Sequence, residues 1–591
     1  MMDTYTAIVP RAEPDQADCG PAPTAYLDRA LHTQLAYWTG GLSPASLAGA
    51  ALDWMIHLAG SPTKQLELAI KAQRKMLRLA HFAALPAVRE SGPCIEPLPQ
   101  DRRFAAPEWQ HWPFNVVYQA FLLEQQWWYN ATTGVPGVTR HHEQLWTFAL
   151  RQVLDMFAPS NYPATNPAVL HETARTGGMN LAIGARNLLQ DLASAGAAPL
   201  PPPQQFQPGK GVALTPGKVV YRNRLIELIA YAPRTATVFA EPVLMVPPWI
   251  MKYYILDLSP HNSLVRYLVD QGHTVYMISW KNPDASDRDL GMDDYLQQGV
   301  LAAIGQVRRR QPGQPVQALG YCLGGTLLAI AAAALARDDD ASLASVTLLA
   351  AQVDFTEPGD LGLFIDESQL NFLDNVMGGK GYLDGKQMEG AFALLNSKDM
   401  VWSRMVQNYL MGKGQRAGSD LAAWNADATR MPYRQQSEYL RSLYLNNDLA
   451  QGRYRVGGAP VVLSDLRVPL FVLATERDTV APWTSVYKTH LLTDTELTFC
   501  LTSGGHNAGV VNPPRVDSVQ HYQLAVRRRD GGYRDPQAWI ATVPVQAGSW
   551  WPAWEGWLRR QSQGQVAAVP LEAAGPDGPL DDAPGRYVLV P

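Results

Sequence analysis

The chain has 591 residues, 47% of them apolar, enough for a large core and for more than one compact unit. Its formal charge of −5 lacks the basic surplus of a nucleic-acid binder. Four cysteines (Cys19, Cys94, Cys322 and Cys500) are too few and too scattered for a disulfide scaffold or a CxxC metal site, and they fit a reducing, cytoplasmic setting.

Met1–Cys19 mixes Asp, Glu, Arg and Pro without an apolar h-region, so no secretory signal is expected. Residues 1–24, polar and rich in Ala and Pro, are expected to be disordered. From Ala25 the pattern is helical. Ser61-Pro62 reads as an N-cap followed by Pro at the first helical position, opening a helix over Lys64–Phe82. Phe114, Val117, Phe121 and Leu122 recur at helical spacing, and further helices are expected over Glu143–Phe157 and Asn180–Leu192. Residues 25–195 thus form a helical N-terminal domain, and the Pro- and Gly-rich stretch 196–217 reads as a linker.

Beyond it, short β-branched runs appear: Lys218–Tyr221, Leu225–Tyr231, Val243–Val246, Thr274–Ser279, Val316–Leu319, Ser345–Leu349, Leu470–Ala474 and Leu497–Leu501. Helical segments such as Asp294–Arg309 and Gly325–Arg337 separate several of them, which predicts an α/β unit with a mainly parallel sheet over 218–560. The rhythm breaks over about 355–457, read as a cap inserted over the sheet. The tail 561–591, rich in Ala, Gly, Pro and Asp, is expected to be flexible. The longest apolar stretch, Leu327–Ala336, is too short to span a bilayer.

The strongest local signal is Gly320-Tyr321-Cys322-Leu323-Gly324-Gly325, a G-x-C-x-G with a strand before it and a helix after it. A sharp strand-to-helix turn tolerates only small residues two positions either side of its apex, here Gly320 and Gly324. The helix start favours a thiolate at Cys322, and the Leu323 amide becomes a candidate oxyanion donor. The plainer reading is a buried structural cysteine in a glycine turn.

In α/β-hydrolases the order is nucleophile, acid, histidine. Asp478 follows the strand Leu470–Ala474, and His506 follows Leu497–Leu501 behind Gly504-Gly505. Asp478 could instead cap a helix, and His506 could make a structural hydrogen bond. His490 and His521 lie near but lack the glycine-flanked setting. A second oxyanion donor is expected from the loop after Val243–Val246, with Ile250 the candidate. No metal site is expected, because His141-His142 has no spaced partners.

These residues resemble the polyhydroxyalkanoate synthases, class I in particular. The likeness is carried by Pro247-Pro248-Trp249-Ile250, Ser279-Trp280-Lys281-Asn282-Pro283-Asp284, Gly320–Gly325, Gly381-Tyr382-Leu383-Asp384-Gly385, Trp424-Asn425-Ala426-Asp427 and Ser503–Gly509 with Asn512-Pro513-Pro514. It covers roughly residues 95–560. Residues 25–65 are similar to an N-terminal extension found in a subset, which divides the helical domain into 25–95 and 96–195. Two positions depart from many members: Gln436 stands where they carry His, and Asn507 where they carry Ile.

The resemblance implies an α/β-hydrolase fold and polymerisation of (R)-3-hydroxyacyl-CoA, 3-hydroxybutyryl-CoA foremost, into a polyester with release of CoA. It implies catalytic roles for Cys322, Asp478 and His506 through an acyl-cysteine, and leaves open whether His506 or Asp478 activates the incoming hydroxyl. No cofactor is implied beyond the acyl-CoA substrate. A homodimer is implied, attached to cytoplasmic polymer granules alongside granule-associated proteins. A Cys-dependent thioesterase or polyester depolymerase would share the same residues.

Overall fold

A computed structural model of the chain describes residues 29, 31–36, 39, 41–84, 92–98, 101–194, 203–385, 387, 390, 394, 397–414, 418–571 and 580–591. The disorder expected for 1–24 lies outside the described residues.

The N-terminal part is helical: α1 (Pro44–Ala59), α2 (Pro62–Ala84), α3 (Phe114–Thr132), α4 (Arg140–Met156), α5 (Pro167–Thr176) and α6 (Met179–Ser194). Indole donors tie its layers together. Trp54 Nε1 donates to the Ala131 carbonyl at 2.9 Å, and Trp127 Nε1 to that of Leu68 at 3.0 Å. Buried Arg103 bridges Asp101 and Asp155 at 2.7 and 2.8 Å beside a small core of Phe104, Trp109, Tyr118 and Phe121.

Eleven strands build one sheet: β1 (Gly217–Arg222), β2 (Ile226–Tyr231), β3 (Val243–Val246), β4 (Val275–Trp280), β5 (Val316–Tyr321), β6 (Leu343–Leu349), β7 (Leu470–Thr475), β8 (Leu497–Thr502), β9 (His521–Arg527), β10 (Val545–Ala547) and β11 (Asp581–Asp582). Their spatial order is β10-β9-β8-β7-β6-β5-β3-β4-β2-β1-β11. The six strands from β8 to β4 in that order run parallel; the outer ones pair antiparallel. Strands β3, β4, β5, β7 and β8 are buried along their whole length, which is why they read as continuous apolar runs rather than alternations. This is the α/β-hydrolase fold.

Helix α7 (Leu323–Arg337) follows β5 into the core, buried through most of its length. Between β6 and β7 the chain leaves the sheet and builds a layer over its C-terminal end, including α8 (Glu367–Lys380) and α9 (Tyr433–Tyr439). The N-terminal helices lean on this layer. A Cβ on Gly184 of α6 would lie 1.9 Å from the Tyr409 carbonyl oxygen, so glycine is required there, and Asn180 Nδ2 donates to Leu410 O at 2.8 Å.

Two composition-based expectations need correction. The described part of the Pro/Gly-rich linker, 203–217, is docked: Val212 and Ala213 are buried, Ala213 N–H donates to Asp257 O at 2.8 Å, and Thr215 Oγ1 to Asp257 Oδ1 at 2.5 Å. The described residues of the tail are paired as well. Gln565–Ala567 pairs with Thr237–Phe239, and β11 pairs with β1. The wholly buried Glu227 carboxylate accepts the amides of Arg586 and Tyr587 at 2.9 and 3.0 Å and Arg222 Nε at 2.7 Å. A buried carboxylate needs such partners, so polar docking orders a segment whose composition holds little to bury. No helix among the described residues is long and apolar enough to cross a membrane.

Candidate active site

Cys322 stands between β5 and α7 with φ 52° and ψ −126°, a left-handed backbone that a non-glycine residue seldom adopts. The turn is held by the Cys322 amide on Leu349 O and the Gly325 amide on Cys322 O, both at 2.9 Å. A Cβ on Gly320 would lie 2.4 Å from Gly325 Cα. One on Gly324 would lie 2.2 Å from Val246 O and 2.5 Å from Pro247 O. Gly324 thus lets the end of β3 cross directly over the start of α7, bringing the Pro247–Ile250 loop to the nucleophile. Gly325 is a third requirement, since its Cβ would lie 2.5 Å from that of Ala351.

Asp478 follows β7 with its side chain fully buried, and its two oxygens do different work. Oδ1 accepts the amides of Val480 and Ala481 at 2.9 and 2.8 Å, which is the local turn-capping role. Oδ2 accepts from His506 Nδ1 at 2.7 Å and from Thr475 Oγ1 at 3.3 Å. Asp478 therefore caps a turn rather than a helix, since the next helix, Trp483–Tyr487, starts from Pro482 without a side-chain cap, and its other oxygen faces the histidine.

His506 sits in the turn after β8, where Gly504 adopts φ 110° and Gly509 N–H donates to Gly505 O at 2.8 Å. The Trp-rich segment near the C-terminus fixes this loop: Trp550 Nε1 donates to Gly509 O and Trp551 Nε1 to Val510 O, each at 3.0 Å. With Nδ1 committed to Asp478, Nε2 is the nitrogen left for the Cys322 thiol, its second side-chain partner. Burial works against a charged imidazole. A Cys322 thiolate and the Asp478 carboxylate outweigh it and hold the His506 pKa well above the ordinary histidine value. The three residues thus form one connected chain, Cys322–His506–Asp478. His490 and His521 are employed elsewhere. His490 packs against Tyr487 and Phe499, its pKa pushed down to about 3 by burial and by Arg527, while His521 pairs with Glu476 at 2.9 Å.

Leu323 opens α7, so its amide stands outside the helical ladder. The Ile250 loop is set from both the cap and the sheet. Thr429 Oγ1 donates to Trp249 O at 2.6 Å, Trp280 Nε1 to Pro247 O at 2.8 Å, and Trp424 Nε1 to Lys252 O at 2.7 Å. In a trans peptide the Ile250 N–H points opposite to the Trp249 carbonyl, hence away from Thr429. Ile250, Leu323 and Cys322 all border one cavity of about 120 Å³. Trp424 is a buried strut of this loop.

The two departures fall at the site. Asn507 Oδ1 accepts from Tyr321 Oη at 2.5 Å, and its Nδ2 donates to Asn425 Oδ1 at 3.0 Å, joining the histidine loop to the elbow strand and the cap. Gln436 on α9 is buried against the Cys322 cavity with Oε1 unpartnered among the described residues. The remaining wall is largely apolar, including Phe355, Tyr439 and Tyr444, with Thr326, Gln352 and Gln369 among its polar members. It also includes Ala36, Gly41 and Leu42 from the N-terminal extension, whose contribution no local pattern in the sequence signals.

A strained cysteine at a glycine elbow, with a histidine oriented by a carboxylate, defines a hydrolase-fold enzyme adapted to acyl transfer. Three family models match the chain. They are "Poly-beta-hydroxybutyrate polymerase N terminal" over residues 22–64, "Poly-beta-hydroxybutyrate polymerase (PhaC) N-terminus" over 100–268 and "alpha/beta hydrolase fold" over 241–513. A poly(3-hydroxyalkanoate) polymerase of Methylorubrum extorquens is 41% identical over 570 residues, 93% of each chain. The poly(3-hydroxyalkanoate) polymerase subunit PhaC of Cupriavidus necator is 36% identical over 560 residues, again 93% of each. Among solved structures, a thioesterase domain from the curacin biosynthetic pathway aligns with 50% of this chain and 94% of its own at 15% identity and TM-score 0.27. The chain belongs to the poly(3-hydroxyalkanoate) polymerase family and is an acyltransferase.

Proposed function

We propose that the protein transfers (R)-3-hydroxyacyl groups, 3-hydroxybutyryl foremost, from CoA to a growing polyester through a thioester on Cys322. The observation that carries this reading is the Cys322–His506–Asp478 chain beside an apolar cavity. His506 Nε2 takes the thiol proton, and the thiolate adds to the acyl-CoA carbonyl. The oxyanion rests on the Leu323 and Ile250 amides. The C–S bond to CoA then breaks, CoA leaves with the proton from His506, and the acyl group stays on sulfur. His506 next accepts the proton of a 3-hydroxyl, whose oxygen attacks the thioester, forming an ester bond and returning Cys322. Asp478 holds the imidazole through both halves. The apolar cap favours the hydroxyl over water as acceptor.

The same reading has the protein working as a homodimer on cytoplasmic polyester granules. Exposed Leu66, Met76 and Leu77 on α2 and Leu188, Leu189 and Leu192 on α6 offer apolar contact to such a surface. The test is to follow free CoA and insoluble polyester together from (R)-3-hydroxybutyryl-CoA. CoA release matched by polymer, both lost in Cys322→Ala, is expected. CoA release yielding only free hydroxy acid would make the protein a thioesterase.

A further inference from the structure

A second cavity, of about 240 Å³, lies between α1, α4 and the cap. Leu42, Phe364, Gln369 and Leu394 border both it and the Cys322 cavity, so the two spaces share a wall. Its other surfaces are largely hydrocarbon, among them Leu145, Phe148 and Ala149 of α4.

The polar side chains along this seam are already engaged within the protein. Ser43 N–H donates to Gln369 Oε1 at 2.7 Å, and Gln369 Nε2 donates to Gly41 O at 2.8 Å. Ser43 Oγ meets Ser368 Oγ at 3.1 Å, Ser46 Oγ donates to Asp366 Oδ2, and Ser397 Oγ donates to Gln152 Oε1 at 2.5 Å. The residues on either side of Leu42 are therefore clamped by one cap side chain, Gln369, which fixes where the leucine stands. The Trp146 indole N–H, also at this cavity, has no acceptor among the described residues.

A 3-hydroxyacyl unit divides chemically. Its thioester carbonyl and 3-hydroxyl need polar partners, which lie at the Cys322 end. Its 3-alkyl substituent is pure hydrocarbon and gains from burial wherever carbon walls are free. We propose that the second cavity receives the 3-alkyl substituent of the acyl unit and that Leu42, from the N-terminal extension, sets how long a substituent fits. This rests on the assignment of the Cys322 cavity as the acyl site. Placing polyester backbone there instead would bury an ester carbonyl for each unit against largely hydrocarbon walls, with Trp146 Nε1 the one fully buried unpartnered donor among the described residues that border the cavity.

The test compares kcat/KM for CoA release from 3-hydroxyhexanoyl-CoA and 3-hydroxybutyryl-CoA, read as a ratio in the full-length protein. Each methylene newly accommodated is worth about 4-fold. Leu42→Ala should thus raise the six-carbon to four-carbon ratio by about 15-fold. Ala149→Phe, which fills the second cavity from the far side, should lower the same ratio, and it stands as an independent test should Leu42→Ala fold poorly. An unchanged ratio in both variants, or a change confined to polymer length, would overturn the proposal while leaving the Cys322 reading intact. Four-carbon turnover that survives in Cys322→Ala would instead overturn that reading.

Discussion

Replacing Asp478 with Asn and with Ala separates the two jobs of this carboxylate. Asn keeps a carbonyl oxygen that can accept the Val480 and Ala481 amides, so the turn is retained. Its Nδ2, however, would face His506 Nδ1, donor against donor, across a gap that is 2.7 Å in the native chain. The imidazole can restore that bond only by moving its proton to Nε2, which then cannot accept the Cys322 proton. CoA release should fall by about 10²–10⁴-fold, the range of a positioned general base. Thermal stability should change little. Ala removes both turn bonds as well. In the Asn variant these two bonds go to a neutral acceptor and are worth about 0.5–1.5 kcal/mol each, so Asp478→Ala should cost about 1–3 kcal/mol beyond it. Steady-state CoA release and thermal unfolding of the three proteins side by side are the assay. An Asn variant within about threefold of wild type, a small fraction of the general-base effect, would refute the claim that Asp478 orients the base.

Three further outcomes follow from the same geometry. His506 should titrate above the ordinary histidine range in histidine-resolved NMR, and its pKa should fall in Cys322→Ala, where the charge and hydrogen bond of Cys322 are both lost. Because the folded value is raised, the stability this group contributes is complete below the unfolded value of about 6.5 and is lost only as pH rises through the folded one; titration near 6.5 in the intact protein would contradict this. Gly324→Ala drives a Cβ against two backbone carbonyls and should destabilise by about 1–3 kcal/mol or prevent folding, whereas a stable, active variant would mean β3 does not cross the elbow as described. Trp550→Phe removes the donor on Gly509 O and should lower kcat more than it changes KM, at a stability cost of about 1 kcal/mol; an unchanged kcat would show that the histidine loop needs no such strut.

The sheet was legible because its central strands are buried on both faces and write themselves as β-branched runs. The elbow was legible because its glycines answer a local steric demand. Asp478 and His506 were legible because each follows such a strand, although a helix-capping role for Asp478 competed with the orienting one; the carboxylate caps only a turn. That turn role does not compete, since the carboxylate has two oxygens. What stayed hidden depends on contacts distant in sequence. Strand β11 and the residues after it are held by Glu227 and Arg222, more than 300 residues away in sequence, and nothing in an Ala-, Gly-, Pro- and Asp-rich tail announces that. Nothing local to Trp424 announces that its indole N–H supports the Ile250 loop at Lys252, 172 residues away. Leu42 reaches the nucleophile's cavity through Gln369, a partner whose |i−j| from Ser43 is 326.

The most direct test of the central claim is acid quenching of the enzyme during turnover, followed by mass analysis of its cysteine peptides. The account predicts a hydroxyacyl thioester on the peptide containing Cys322, none on those containing Cys19, Cys94 or Cys500, and its disappearance together with CoA release in Cys322→Ala. CoA release that persists in that variant, or an acyl group found on another residue, would contradict it.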